Sequence, residues 1–242
     1  MGNYVEKMYG EKMKIVISLG GHLLTKGLKS TADIKAGNYK EYADMLKGLK
    51  AKGHKLVVVC GAGKFFRDYR DVARDEFKAD REVLDWLGIE WTHVNAYMLI
   101  AALGEDAYQV SLRTVEDVKK NFDDKILVCG GNVPGSSTDY DAALFAEAIG
   151  ADLLINATTV DGVYSGPPKT DPNAKKLDKL SFDEFEKIIL KNPQEPGEYR
   201  LFDLPGAKVI KRAKIKTVVI DGKDPEEIVR AVEGKHSGSV IS

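Results

Sequence analysis

The sequence predicts an α/β fold, a three-layer αβα sandwich with helices on both faces of one sheet. Three observations predict it. Four apolar runs each end in a small-residue turn and pass into a helix-like stretch: Lys14–Leu19 into Gly20-Gly21-His22, Lys55–Cys60 into Gly61-Ala62-Gly63-Lys64, Lys125–Cys129 into Gly130-Gly131-Asn132, and Leu153–Thr158 into Thr159–Tyr164. The Val, Ile and Leu runs suit strands covered on both faces. Strand and helix signals then alternate along the chain, as in a doubly wound sheet.

In chain order, Met1–Lys12 is polar and mixed in charge and reads as an N-terminal extension, with Met13 leading directly into the first strand. Asn38–Lys52 is a helix stopped at Gly53, and Lys64–Glu76 is the helix after the second glycine turn. Ala79–Leu87 and Asn95–Leu103 read as two amphipathic helices, stopped near Gly88 and Gly104. Ser137–Ile149 ends at Gly150, and Ser181–Lys191 opens with the capping-box pair Ser181 and Glu184. Asp203–Lys214 and Pro225–Glu233 complete the helices, Ile215–Ile220 is a further strand, and strand signals also fall near Tyr108 and Val240. Ser165–Lys176 and Asn192–Gly197 read as surface loops, with no linker or internal repeat.

The chain has 242 residues, 43% of them hydrophobic, enough for one large domain or two lobes sharing a sheet. Thirty-six basic residues nearly cancel 37 acidic ones, which argues against a general nucleic-acid binder or a protein held to anionic membranes. No run approaches the roughly 20 apolar residues that span a bilayer, and the first residues lack the apolar stretch of a signal peptide. A cytoplasmic, reducing location follows as the expectation. Cys60 and Cys129 each precede a glycine and read as buried small side chains rather than a disulfide or metal pair.

The turns point to a ligand. Glycine lets backbone approach a ligand closely, and a helix start offers unpaired N–H groups to an anion. Several such turns on one edge of a parallel sheet would hold a polyphosphate, since open α/β sheets bind ligands beyond the carboxyl ends of their strands. Two common devices are absent. Gly63-Lys64 is followed by Phe65 with no glycine at 58, so there is no P-loop; Gly61-Ala62-Gly63 is followed by Phe66 where a dinucleotide fingerprint needs glycine.

The order and spacing of Val16–Gly21, Val58–Lys64, Arg67-Asp68-Tyr69, Asn95-Ala96, Gly130–Asp139, Asn156–Tyr164, Ala207–Ile210 and Ile215–Gly222 resemble the amino-acid kinase family, most closely its archaeal-type uridylate (UMP) kinases. The resemblance covers nearly everything from Met13 onward. It implies the amino-acid kinase (carbamate kinase-like) fold with a mainly parallel sheet, and an acceptor lobe over about 13–150 with an ATP lobe over about 151–242. It also implies ATP-dependent, Mg2+-assisted phosphorylation of UMP to UDP in pyrimidine nucleotide synthesis, by a homohexamer.

The resemblance assigns roles residue by residue. Gly20 and Gly21 lie under the transferring phosphoryl group as backbone donors, Asp139 organises the cations and Mg2+, and Lys208 reaches the ATP phosphates. Gly61, Ala62 and Gly63 cradle the acceptor phosphate, with Arg67 one turn on able to pair with it bidentately. Asp80 takes the ribose hydroxyls, and Gly131 and Thr138 belong to a second acceptor loop. Thr158, Thr159, Asp161, Gly162, Tyr164 and Asp171 make the ATP side. Each residue type also has an ordinary structural use: glycines in turns, Asp80 at a helix start, Ser137 to Asp139 as a cap, and exposed lysines in solvent.

The chain departs from the pattern. Ser18 stands where many relatives carry lysine, a trait shared with the archaeal type. His22 replaces serine, Ala62 replaces glycine, and Thr159 replaces Asn or Lys. These departures keep two alternatives open. One is a kinase of another small acceptor (isopentenyl phosphate, carbamate or an amino acid). The other is a binding protein without turnover, storing molybdate or tungstate or sensing nucleotides.

Overall fold

Four apolar runs become parallel neighbours because each buries both faces. In the computed structural model, which describes residues 11–27, 36–168, 170–191 and 202–242, β1 (Lys14–Leu19) lies between β2 (Lys55–Cys60) and β4 (Leu153–Thr158). Within β1 and β2 every residue after the first is buried. β3 (Leu127–Cys129) pairs with β2, and β8 (Thr217–Asp221) pairs with β4, all parallel. Beyond β8 the direction reverses: β9 (Ser239–Ile241) is antiparallel to it, and β7 (Lys179–Leu180) is parallel to β9. The seven-stranded order is β3-β2-β1-β4-β8-β9-β7, with a separate hairpin of β5 (Val163–Tyr164) and β6 (Lys176–Leu177). The three-layer α/β expectation holds, with two strands running against the rest.

Side chains alternate across each strand, so the sheet feeds two cores. Ile15, Ile17, Leu56 and Val58 pack with α2 (Ala36–Ala51) and α9 (Pro225–Val232) in one. Val16, Val57, Val59 and Leu154 pack with α6 (Thr138–Ile149), α7 (Phe182–Lys191) and α8 (Leu204–Ala213) in the other. The remaining helices are α1 (Gly21–Leu24), α3 (Gly63–Asp75), α4 (Arg81–Leu103) and α5 (Val115–Asn121). The Ser181 capping box forms: Glu184 accepts from the Ser181 N–H at 2.8 Å, and Ser181 Oγ accepts from the Glu184 N–H at 3.3 Å.

Two expectations change. The break at Gly88 does not occur, because α4 runs unbroken from Arg81 to Leu103. A Cβ at Gly88 would stand 3.1 Å from Phe66 Cζ, so glycine makes room for a ring rather than ending a helix. α5, capped by Thr114, was not anticipated as an element. Near Tyr108 and Val240 the strand signals become isolated bridges, Ala107 to Ile126 and Leu112 to Cys129, and strand β9. Ser165–Lys176 connects β5 to β6. Residues 1–10 of the expected extension and the loop Asn192–Gly197 lie outside the described residues.

Candidate active site

The carboxyl ends of β1, β2, β3, β4 and β8 share one rim, since those five strands run parallel. β1 is the switch point, with β2 and β3 to one side and β4 and β8 to the other.

The first two tips touch. A Cβ on Gly21 would lie 2.2 Å from Gly63 N and one on Gly61 2.7 Å from Gly21 N, distances no side chain tolerates. Gly63 also has φ +82°, in the left-handed region that favours glycine. These glycines let the turns after β1 and β2 press together, backbone to backbone.

This corrects one expectation. The Gly20 N–H donates to Ala157 O at 3.0 Å and the Gly61 N–H to Leu19 O at 2.9 Å, continuing the sheet. The Gly131 N–H donates to Thr92 Oγ1 at 2.7 Å. All three amides are engaged within the protein, so neither Gly20 nor Gly61 has its N–H free for a phosphate. Gly21 and Gly63 each open a helix, where the first amides have no intrahelical acceptor.

α4 braces the turns after β2 and β3. Asn95, buried, donates from Nδ2 to Gly61 O at 2.7 Å and Ala62 O at 3.0 Å, and accepts from Tyr39 Oη at 2.9 Å. Thr92 grips the Gly131 N–H. His93 Nε2 lies 3.1 Å from Gly131 O, while its Nδ1 meets Ser111 Oγ at 2.7 Å. Burial lowers the His93 pKa, helped by Arg113, which favours the neutral ring.

Between α3, α4 and the 131–138 loop lies a cleft of about 270 Å3. Ala62, Gly131 and Thr138 line it, together with Phe66, Asp85, Gly88 and Val133, which the sequence reading does not select. Asp80 is not in this lining. Its Oδ1 accepts from the Val83 N–H at 2.9 Å and caps α4, so the carboxylate that reaches the cleft is Asp85, on the face shared with Gly88, Ile89 and Thr92. That face is visible in sequence once α4 is read as one helix.

Arg67 Nη2 lies 3.1 Å from His22 Nδ1, joining α3 to the first turn. Burial and then the Arg67 charge lower the His22 pKa, so the ring is an acceptor for the guanidinium rather than a cation of its own. Ser18 Oγ donates to Asp139 Oδ1 at 2.7 Å. Deeper in α6, burial pushes the Asp141 carboxyl up to about 7.

On the other side of Gly20, Thr158 ends β4 and its carbonyl accepts from the Gly222 N–H at 2.8 Å. Lys223, also unanticipated, reaches Thr159 O at 3.3 Å and Asp221 Oδ2 at 2.8 Å. Asp161 accepts from Tyr164 Oη at 2.9 Å and Lys176 Nζ at 3.1 Å. Burial would raise its pKa, but those bonds outweigh burial and lower it. Gly162 is buried with no room for a side chain, since a Cβ would fall 2.6 Å from Ser239 Oγ. Asp171 serves its own loop, accepting from the Asn173 N–H at 2.9 Å. Lys208 stands exposed one turn into α8, and nothing among the described residues ties it to the strand tips. The group that α8 does bring to the rim is its cap, Asp203, which accepts from both Ser137 N and Ser137 Oγ.

No cluster of three or more His, Cys, Asp or Glu side chains among the described residues would hold a metal alone. Magnesium asks for less, taking one or two carboxylates beside phosphate oxygens and water. Asp139, oriented by Ser18, is a hard oxygen donor of that kind. Cys60 and Cys129 are free and buried on adjacent strands, and burial raises both thiol pKa values.

Comparison with known proteins decides the family. The model of the amino acid kinase family matches residues 13–221.

The chain belongs to the amino acid kinase family.

Within that family it is 41% identical over 221 residues to a uridylate kinase of Methanococcoides burtonii, spanning 91% of each chain. It is 40% identical over 230 residues to that of Archaeoglobus fulgidus, covering 95% of this chain and 100% of the relative. The crystal structure of uridylate kinase from Archaeoglobus fulgidus superposes with a TM-score of 0.81 at 39% identity, over 95% of this chain and 100% of that one. A UMP kinase from Bacillus anthracis, at 20% identity and TM-score 0.78 over 96% of this chain and 97% of its own, shares the amino acid kinase fold.

Proposed function

We propose that this protein is a uridylate kinase, transferring the terminal phosphoryl group of ATP to UMP. The observation that carries the reading is the shared rim. The acceptor cleft opens beside the Gly21–Gly63 contact, and the Thr158 turn stands on the other side of Gly20, so two phosphorylated molecules can meet over the end of β1.

An oxygen of the acceptor phosphate attacks the γ-phosphorus in line. The new O–P bond forms as the bond from the γ-phosphorus to the bridging oxygen breaks, and ADP leaves with the electron pair. The attacking oxygen is already anionic, so no general base is needed. What remains is positioning and charge. Gly21 and Gly63 offer helix-start amides. Arg67 approaches the acceptor phosphate with His22 as its resting partner. Asp85 accepts from ribose hydroxyls, and Lys223 brings a cation to the donor side. Bound Mg2+ neutralises donor phosphate charge, and Asp139 is the residue that would hold it.

The cleft lining falls within residues 62–138, which supports an acceptor lobe over 13–150 and a donor lobe over 151–242. The reading places the protein in the cytoplasm, supplying pyrimidine nucleotides. No helix among the described residues is long and apolar enough to cross a membrane. Self-association, as a homohexamer built from dimers, is supported by α4: Val83, Trp86, Val94, Tyr97 and Met98 are exposed along one side of it. Exposed large apolar side chains gathered on one helix face, here around the Glu90–Arg113 ion pair, often mark an interaction surface.

A coupled ADP-release assay over UMP, CMP, dUMP, isopentenyl phosphate and carbamate tests the activity. UMP as the preferred acceptor supports it; turnover of a carboxylate or carbamate with none of UMP overturns it.

A further inference from the structure

One buried acid has no place in the chemistry above. Asp141 is 1% exposed. Its Oδ2 accepts from the Asn132 N–H at 3.1 Å and its Oδ1 faces Asn132 Nδ2 at 3.3 Å. The charged side chain acting on it is another acid, Asp203, from the start of α8, and Cys129 stands near it at the end of β3. Burying a carboxyl beside another acid costs stability, which the bonds to Asn132 offset only in part.

What those bonds hold is the floor of the cleft. Asp141 Oδ2 would lie 3.6 Å from a Cβ on Gly131, directly behind that turn, and Gly131 and Thr138 both line the cleft. Thr92 and His93 grip Gly131 from α4, and Asp141 grips the next residue from α6. Asn132 Oδ1 is buried with no partner among the described residues, so the Asn132 side chain is held through its nitrogen alone.

We propose that Asp141 is a positioning residue for the acceptor: by holding Asn132 from behind it sets the height of the 131–132 turn, and with it the affinity for UMP, without touching the nucleotide. The proposal rests on the uridylate kinase reading.

Asp141→Ala and Asp141→Asn in the full chain test it. Asp141→Ala should raise KM for UMP about tenfold, the scale of one unmet buried hydrogen bond, with KM for ATP and kcat within about threefold. Asp141→Asn keeps an acceptor for the Asn132 N–H, and a half-turn of the Asn132 amide lets its unpartnered Oδ1 accept from the new Nδ2, so it should restore KM. Amide hydrogen exchange over 130–134 should quicken in Asp141→Ala alone, with α6 still protected. An unchanged KM for UMP, equal rises in both KM values, or no rescue by asparagine overturns the proposal. If Asp141→Ala does not fold, Asn132→Ala must raise KM for UMP selectively, and failure to do so overturns it equally. A wild type that ignores UMP sinks the kinase reading instead, and the exchange comparison then decides the role of Asp141 by itself.

Discussion

Ser18 Oγ donates to Asp139 Oδ1 at 2.7 Å, tying β1 to the first turn of α6 at the centre of the rim. On the uridylate kinase reading, the bond fixes a carboxylate where charge must be organised during transfer. Asp139→Asn keeps an acceptor for Ser18 and removes only the charge. It should lower kcat about 100-fold, the scale of one lost electrostatic contact to a transition state, with KM for UMP nearly unchanged. Wild-type turnover in that variant would take Asp139 out of the mechanism. Ser18→Ala should cost far less.

Arg67 and His22 make a second pair across the rim. Arg67→Ala should raise KM for UMP at least tenfold, the order expected for losing a hydrogen bond to a charged group. Arg67→Lys should not restore it, since a point charge cannot replace a planar fork. Steady-state kinetics with UMP varied checks this, and full rescue by lysine would argue for charge alone.

Two glycines separate close packing from mere propensity. Gly21→Ala puts a methyl 2.2 Å from Gly63 N and should lower the urea midpoint sharply or prevent folding. Gly48, inside α2 with nothing within 4 Å of its Cβ position, should tolerate alanine and gain about 0.5–1 kcal/mol. Equal effects at the two sites would contradict the account of the touching turns.

Glu227 makes stability depend on acid pH. It accepts from Arg230 Nε, from the Ser237 N–H and from Ser237 Oγ, next to the segment whose Ser239 Oγ accepts from the Val163 N–H. Burial would raise its pKa, but these bonds prevail and lower it. A carboxyl depressed in the native state adds stability that is present above its unfolded pKa of about 4.3 and lost as pH falls through the native value. Glu227→Gln should therefore destabilise at pH 7 by roughly 1–3 kcal/mol and flatten the acid limb of stability. Denaturation at pH 7 and below pH 4 measures both, and parallel acid limbs in wild type and variant would remove Glu227 from that role.

Much of this was legible in the residues. The apolar runs announce buried strands, and Ser181 with Glu184 announces a helix start, because both are local signals. The reading failed where glycine had a tertiary reason. Gly88 looked like a helix stop because nothing local shows that Phe66 needs its space. Splitting α4 there hid the face carrying Asp85, while the resemblance pointed to Asp80, which caps the same helix and does not line the cleft. Gly20 and Gly61 looked like anion donors, but only the assembled sheet shows their N–H groups already bonded. The Asn95, Thr92 and His93 clamps join residues more than 30 positions apart, beyond any local pattern.

The central claim is that one rim holds both nucleotides. A crystal structure of the protein with UMP and a non-hydrolysable ATP analogue tests it most directly. The account predicts UMP in the cleft of Phe66, Asp85 and Val133, the analogue against the Thr158 turn and Lys223, and its terminal phosphate beside Gly21. Nucleotides seated on opposite rims, or one pocket taking both in turn, would contradict it.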